Sequence, residues 1–159
     1  MNSAAKEIEA LESGRPSRIP ASPDEPRTLI DVFHTIARRH VRPDTLNFKR
    51  NGQWVSLSSA EMLDRVQRIA AGLYALGVRK GDRVALLSES RVEWTLADAG
   101  CIFAGAIDVP IYPTLTAAQV RYILKDSGSC ALILARREKF LELKDVINDC
   151  PEVRQIILF

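Results

Sequence analysis

Apolar positions along this chain change their period several times, and each change marks an element. Residues 83–87 (RVALL) and 107–111 (IDVPI) are short apolar runs of strand length, the pattern of strands buried in a parallel sheet. Between them, residues 92–103 are apolar nearly all round, with Asp98 the main exception, which predicts a helix covered on more than one side. Ser90 and Glu93 stand at capping-box spacing, so the helix is expected to open at Ser90. Residues 81–114 therefore read as one strand, helix, strand crossover around which the rest of the chain is arranged.

Upstream, Leu29, Val32, Phe33, Ile36 and Ala37 recur at helical spacing. Thr28 stands as N-cap, Asp31 in the first turn and Arg38, Arg39 and His40 at the end, which predicts a surface helix with one buried face. Residues 45–50 and 53–57 flank Asn51-Gly52, the dipeptide of a tight hairpin turn. A second capping box, Ser58 with Glu61, opens a long helix with Met62, Val66, Ile69, Leu73 and Leu76 inward and Gly77 closing it. Downstream, Thr116 and Gln119 make a third box and start a helix through Val120, Ile123 and Leu124 to Gly128. Residues 130–135 then read as a strand, 138–148 as a helix ended by Pro151, and 155–159 as a last apolar strand. The alternation predicts an α/β fold: a mostly parallel sheet flanked by helices on both faces, preceded by an antiparallel hairpin. The order of the strands is not contained in the pattern.

Composition changes the picture at one end. Residues 1–27 hold four of the eight prolines, at Pro16, Pro20, Pro23 and Pro26, and few large apolar side chains, so a mobile leader is expected there and a folded portion over 28–159. With 47% hydrophobic and 26% charged residues, the chain has an ordinary globular composition. A formal net charge of +2 and the lack of a basic block argue against a nucleic-acid partner. Cys101, Cys130 and Cys150 are far apart and lack ligand spacing, which suggests neither a disulfide framework nor a zinc site and points to a reducing, cytoplasmic setting. The first residues lack the apolar core of a secretory signal, and Asp98 and Asp108 interrupt the longest candidate for a transmembrane run.

Candidate chemistry is sparse. In open parallel sheets ligands bind beyond the carboxyl ends of strands, here residues 88–90, 112–114 and 135–137. Each also has a structural reading: Ser90 as a cap, Pro113 as a strand stop, Arg136 and Arg137 as solvated charge. His34 and His40 are six apart and do not share a helix face, so helix-surface histidines are expected rather than a metal or base pair. Cys101 and Cys130 read as core thiols, whereas Cys150, before Pro151, is expected to be more exposed. Neither GxxxxGK[ST] nor GxGxxG occurs, and no catalytic, cofactor-binding or metal-binding residue is assigned in this span.

GDRVALLSES followed by FAGAIDVPIYPT resembles the front of the adenylate-forming ligases, which include acyl-CoA synthetases, luciferase and peptide-synthetase adenylation domains. Within that superfamily, VPIYPTLTAAQVRYILKDSG is most similar to the long-chain fatty acid–CoA ligases, and the likeness spans residues 28–159. WVSLSSAEML resembles the first core motif, with Ser59 where an aromatic residue is usual. The resemblance implies part of the large N-terminal domain of those enzymes. For the parent it implies ATP, Mg²⁺ and coenzyme A as cofactors, a long-chain fatty acid as substrate and an acyl-adenylate as intermediate. Its setting would be cytoplasmic, with peripheral membrane attachment left open. It also implies that the ATP phosphate loop, the metal-binding acid and the catalytic lysine follow Phe159, so this segment would be an inactive scaffold. The apolar last strand carries no cap or polar tail, so a truncated sheet and self-association through it are expected. Two alternatives stand beside this reading: a sibling ligase acting on acetate, aromatic or amino acids, and a free-standing α/β binding module.

Overall fold

The computed structural model describes residues 25–159. The leader expected over residues 1–27 thus lies outside the described residues except for 25–27. Thr28 caps helix α1 (Leu29–Arg39) with a full capping box, its hydroxyl accepting from Asp31 N–H and the Asp31 carboxylate accepting from Thr28 N–H. Strands β1 (Leu46–Arg50) and β2 (Gln53–Leu57) pair antiparallel. Asn51 and Gly52 join them at φ 51° and 79°, the two positive values that a type I′ turn requires. Helix α2 (Ser59–Ala75) opens on the Ser58/Glu61 box, in which Ser58 N–H donates to Glu61 Oε2 at 2.8 Å.

Four further strands, β3 (Arg83–Leu87), β4 (Ile107–Ile111), β5 (Ala131–Leu134) and β6 (Gln155–Leu158), form one parallel sheet in the order β4-β3-β5-β6. Helix α3 (Val92–Phe103) links β3 to β4, and α4 (Ala117–Ser127) links β4 to β5. Two short helices, α5 (Arg137–Glu142) and α6 (Lys144–Asn148), link β5 to β6. Because side chains alternate across a strand, the central pair feeds two cores at once. Val84, Leu86, Ala131 and Ile133 pack with Leu73, Ala97 and Cys101 on the α2/α3 face. Ala85, Leu87, Leu132 and Leu134 pack with Val120, Leu124, Leu143 and Ile147 on the other. A third cluster joins Leu57, Met62, Val66, Leu96 and Ala99 to Phe33, Ile36 and Phe48, so α3 has apolar neighbours on two sides, as its all-round apolar pattern requires.

Several local expectations are corrected. Helix α3 starts after Arg91, whose φ −156° and ψ 165° are extended, and no side chain caps it. Glu93 therefore falls at the second helical position instead of the third, out of capping-box register, and its carboxylate binds Arg91 Nε at 2.7 Å. The helix expected over 138–148 is broken at Leu143, which is wholly buried at φ −99°, ψ 6°; seating that side chain in the core turns the chain between α5 and α6. Leu29 and Val32 remain 59% and 38% exposed, so only part of the α1 apolar face is covered, and Leu76 at the end of α2 is 43% exposed instead of inward. Cys150 is buried, not exposed, against the α4/α6 core, and that burial pushes its thiol up. His34 is half-buried, tilted against Phe103 at 5.8 Å between ring centroids.

Ser59, the departure from the aromatic of the first core motif, is fully buried. Its hydroxyl lies 2.6 Å from Thr45 Oγ1 and accepts from Arg42 N–H at 3.0 Å, while its own N–H donates to Arg42 O at 2.9 Å. The segment between α1 and β1 is thereby tied to the start of α2. Ser59→Ala is expected to cost about 1 to 2 kcal/mol, because it leaves a buried N–H and hydroxyl without their partner. Urea unfolding monitored by circular dichroism checks this; a change below a few tenths would mean that water replaces the hydroxyl.

Candidate binding end of the sheet

Strand order locates the end of the sheet where a ligand would sit. From β3 the chain crosses through α3 to β4 on one side; from β4 it returns through α4 to β5 on the other side of β3. Winding thus reverses between β3 and β5, and the carboxyl ends of these strands open a crevice at the switch point.

Three clefts lie at this end, and residues 88–90 wall them all, with Glu89 common to the three. The most apolar, about 530 Å³, has Ser88, Ser90, Trp94, Ile111, Tyr112 and Pro113 in its walls. A smaller one of about 260 Å³ lies between Ser88, Pro113, Ala135 and the first turn of α5. The third, about 510 Å³, opens toward the hairpin between Phe48, Arg50, Arg91, Glu93 and Arg136. All three segments singled out in the sequence therefore meet at one place. Ser90, freed of the expected capping role, faces the clefts; Arg137 opens α5 and is exposed.

The charged groups here are already engaged with one another. Arg91 Nε donates to Glu93 Oε2 at 2.7 Å, and this bond holds the Glu93 carboxyl below its usual range and the Arg91 guanidinium above its own. Arg91 also lies over the Phe159 ring at 5.5 Å, and Arg136 approaches Glu89 at 3.9 Å. Ser88 is buried and donates to Glu89 O at 2.8 Å. The chain's two histidines are on α1 and at its C-cap, so neither cleft serine has an imidazole base within its segment. The cleft between Trp94, Ile111, Tyr112 and Pro113 is mainly apolar, whereas the one beside Arg50, Arg91, Glu93 and Arg136 is mainly polar. Glu89 fell inside the segment 88–90 named from the sequence, whereas Trp94, on the first turn of α3, was read there only as part of an apolar helix.

The AMP-binding enzyme family matches residues 33–158. The chain is 33% identical over 117 residues to the long-chain-fatty-acid–CoA ligase FadD15 of Mycobacterium bovis, covering 72% of this chain and 20% of that protein. It thus spans about a fifth of that relative's length. Among solved structures, a long-chain-fatty-acid CoA ligase from Rhodopseudomonas palustris, so described by similarity, superposes with a TM-score of 0.68 at 26% identity, over 83% of this chain and 32% of that one. The anthranilate CoA ligase AuaEII in complex with anthranoyl-AMP superposes with a TM-score of 0.71 over 82% of this chain and 24% of its own; at 22% identity this speaks to the fold alone. Among the described residues, no helix is long and apolar enough to cross a membrane. The α/β architecture is that of the N-terminal domain of adenylate-forming enzymes, and the chain belongs to the AMP-binding enzyme family.

Proposed function

We propose that this chain is the N-terminal portion of an ATP-dependent long-chain fatty acid–CoA ligase that works in the cytoplasm, and that residues 28–159 serve as scaffold. The observation that carries the substrate class is the 33% identity to FadD15 over 117 residues, a stretch long enough to include the sheet described above. The reaction class is conversion of a fatty carboxylate to its acyl-adenylate at the expense of ATP, with Mg²⁺, followed by transfer of the acyl group to coenzyme A. A carboxylate is a poor acyl donor, and adenylation supplies the leaving group.

The described residues do not by themselves fit a triphosphate. The first turn of α3 carries the Glu93 carboxylate, which is paired with Arg91. The positive-φ glycines beside the sheet, Gly77, Gly81, Gly105 and Gly128, precede strands β3, β4 and β5, at the end opposite the clefts. The glycines free to turn their N–H groups in left-handed conformations thus lie away from the clefts, and no phosphate step is assigned to these residues. Their part is to found the sheet and to wall its ligand end with Trp94, Tyr112 and Pro113.

Acid-dependent exchange of pyrophosphate into ATP tests this. The 159-residue chain alone is expected to show none, and a full-length protein containing it is expected to show exchange with palmitate. Preference should grow with chain length at about 0.8 kcal/mol, or roughly fourfold, per methylene buried. Exchange by this chain alone would overturn the scaffold role. A full-length protein that ignores palmitate and activates acetate or an aromatic acid would replace the substrate and leave the family intact.

A further inference from the structure

Helix α3 returns over β4, and Trp94, Asp98 and Cys101 stand on it at the i, i+4, i+7 spacing of a single face. On β4 the matching face carries Asp108 and Pro110, in register with Val84 and Leu86 of the α2/α3 core. Trp94 and Pro110 wall the same apolar cleft at the carboxyl end of the sheet. One turn deeper, Asp98 lies within bonding reach of Asp108, and the charges of both act on Cys101. Two carboxylates are acceptors only, so a bond between them requires a proton on one. Asp108 Oδ1 is buried and no donor in the fold reaches it, which makes the doubly ionised pair costly.

The elements packed around the pair do little to relieve it. On this face β3 presents Val84 and Leu86, whereas Arg83 turns away and donates to Ser127 O and Gly128 O. Helix α4 covers the opposite face of the sheet. Lys80, in the turn before β3, packs on Gly105. Val109 N–H favours the ionised form of Asp108, yet burial and Asp98 prevail and carry its carboxyl to about 7. We propose that Asp98 and Asp108 share one proton as a latch between α3 and β4, and that its loss swings the first half of α3 outward and widens the cleft between Trp94 and Pro110. The far half of α3 is held, Gly100 against Ile69 and Phe103 edge-on to Phe33 at 5.5 Å. The near half starts without a side-chain cap, so like-charge repulsion at Asp98 moves that end. The latch is made of α3 and β4 alone and does not depend on the reaction assigned to the family.

Tryptophan emission reads this directly. The chain has two tryptophans, and Trp54 is 70% exposed on the hairpin, so Trp54→Phe leaves Trp94 as the sole reporter. Its emission is expected to move to longer wavelength, and its quenching by acrylamide to rise, with one midpoint near pH 7, while far-UV circular dichroism stays constant. In that background Asp108→Asn sets an amide donor against Asp98 at every pH and should hold Trp94 at its acid signal through pH 8. Asp98→Asn should do the same from the other side. Each variant removes one of two like charges, so both are expected to fold. His34→Gln, at the Phe103 end of α3, should leave the transition in place. A flat Trp94 signal, a transition that survives in either asparagine variant, one that vanishes with His34, or one that coincides with loss of helix would each overturn the proposal.

Discussion

Gly100→Ala is expected to destabilise the fold by about 2 kcal/mol, although alanine is the better helix former by about 1 kcal/mol in a helix interior. Gly100 lies inside α3, buried where that helix crosses α2. A methyl group there would lie 2.8 Å from Ile69 Cβ and press on Ile69 Cγ2, with Ala70 N at 3.7 Å behind it. Ile69 is β-branched and helical, so its side chain has essentially one rotamer and cannot swing aside. The two helices would have to separate, loosening the core that Ile69 shares with Leu73, Ala97 and Cys101. Urea unfolding of Gly100→Ala, Ile69→Ala and the double variant closes a cycle in which the second substitution should recover much of the first loss. A neutral or stabilising Gly100→Ala would show that helix propensity outweighs the crossing.

Asp108→Asn is expected to stabilise the protein by about 2 kcal/mol at pH 8 and to leave it nearly unchanged at pH 4. Asp108 on β4 keeps one carboxylate oxygen buried without a hydrogen-bond partner. Burial first, then the charge of Asp98 on α3 and a hydrogen bond with it, push the Asp108 carboxyl from 3.8 up to about 7. The same surroundings push the neighbouring Cys101 thiol from 9.0 to about 12, burial again leading, with Asp108 and Asp98 next. Because the folded-state value is raised, the folded protein binds the proton more tightly than the unfolded chain. Stability on this account is greatest below about pH 4, falls as pH rises toward 7, and is flat above. A three-unit rise corresponds to about 4 kcal/mol at most; Asp108 is only half-buried, and solvent screening reduces that to about 2. Unfolding free energies of both proteins at pH 4, 6 and 8 check the sign. An equal difference at all three values would mean that Asp108 ionises in the fold as it does in water.

Both effects show where local pattern stops being informative. In the sequence, Asp98 and Asp108 are interruptions of an apolar run, and Gly100 is one glycine among eight. Their importance comes from packing α3 between β4 and α2, which brings together residues that no periodicity relates. The carboxyl-end clefts are a similar case. The segments 88–90, 112–114 and 135–137 could be named as strand ends, yet only the order β4-β3-β5-β6 makes them neighbours and puts the switch point between β3 and β5. Ser59 likewise looked like a lapse from a motif and is a buried hydrogen-bonding centre.

What the sequence determined by itself is everything carried by short-range stereochemistry. Asn51-Gly52 admits the positive φ of the hairpin, Ser58/Glu61 and Thr116/Gln119 satisfy free N–H groups within one turn, and the runs at 83–87 and 107–111 have only strand length. Those interactions need no distant partner, so they are readable along the chain. Tertiary structure decided the rest. Helix α3 begins one residue late because Arg91 is extended and its guanidinium binds Glu93; α5 and α6 part at Leu143 because the core takes that side chain; and Cys150 is buried because α4 and α6 close over it. In each case burial free energy at a remote contact outweighs a local preference worth about 1 kcal/mol or less, and only the folded chain brings that contact into being.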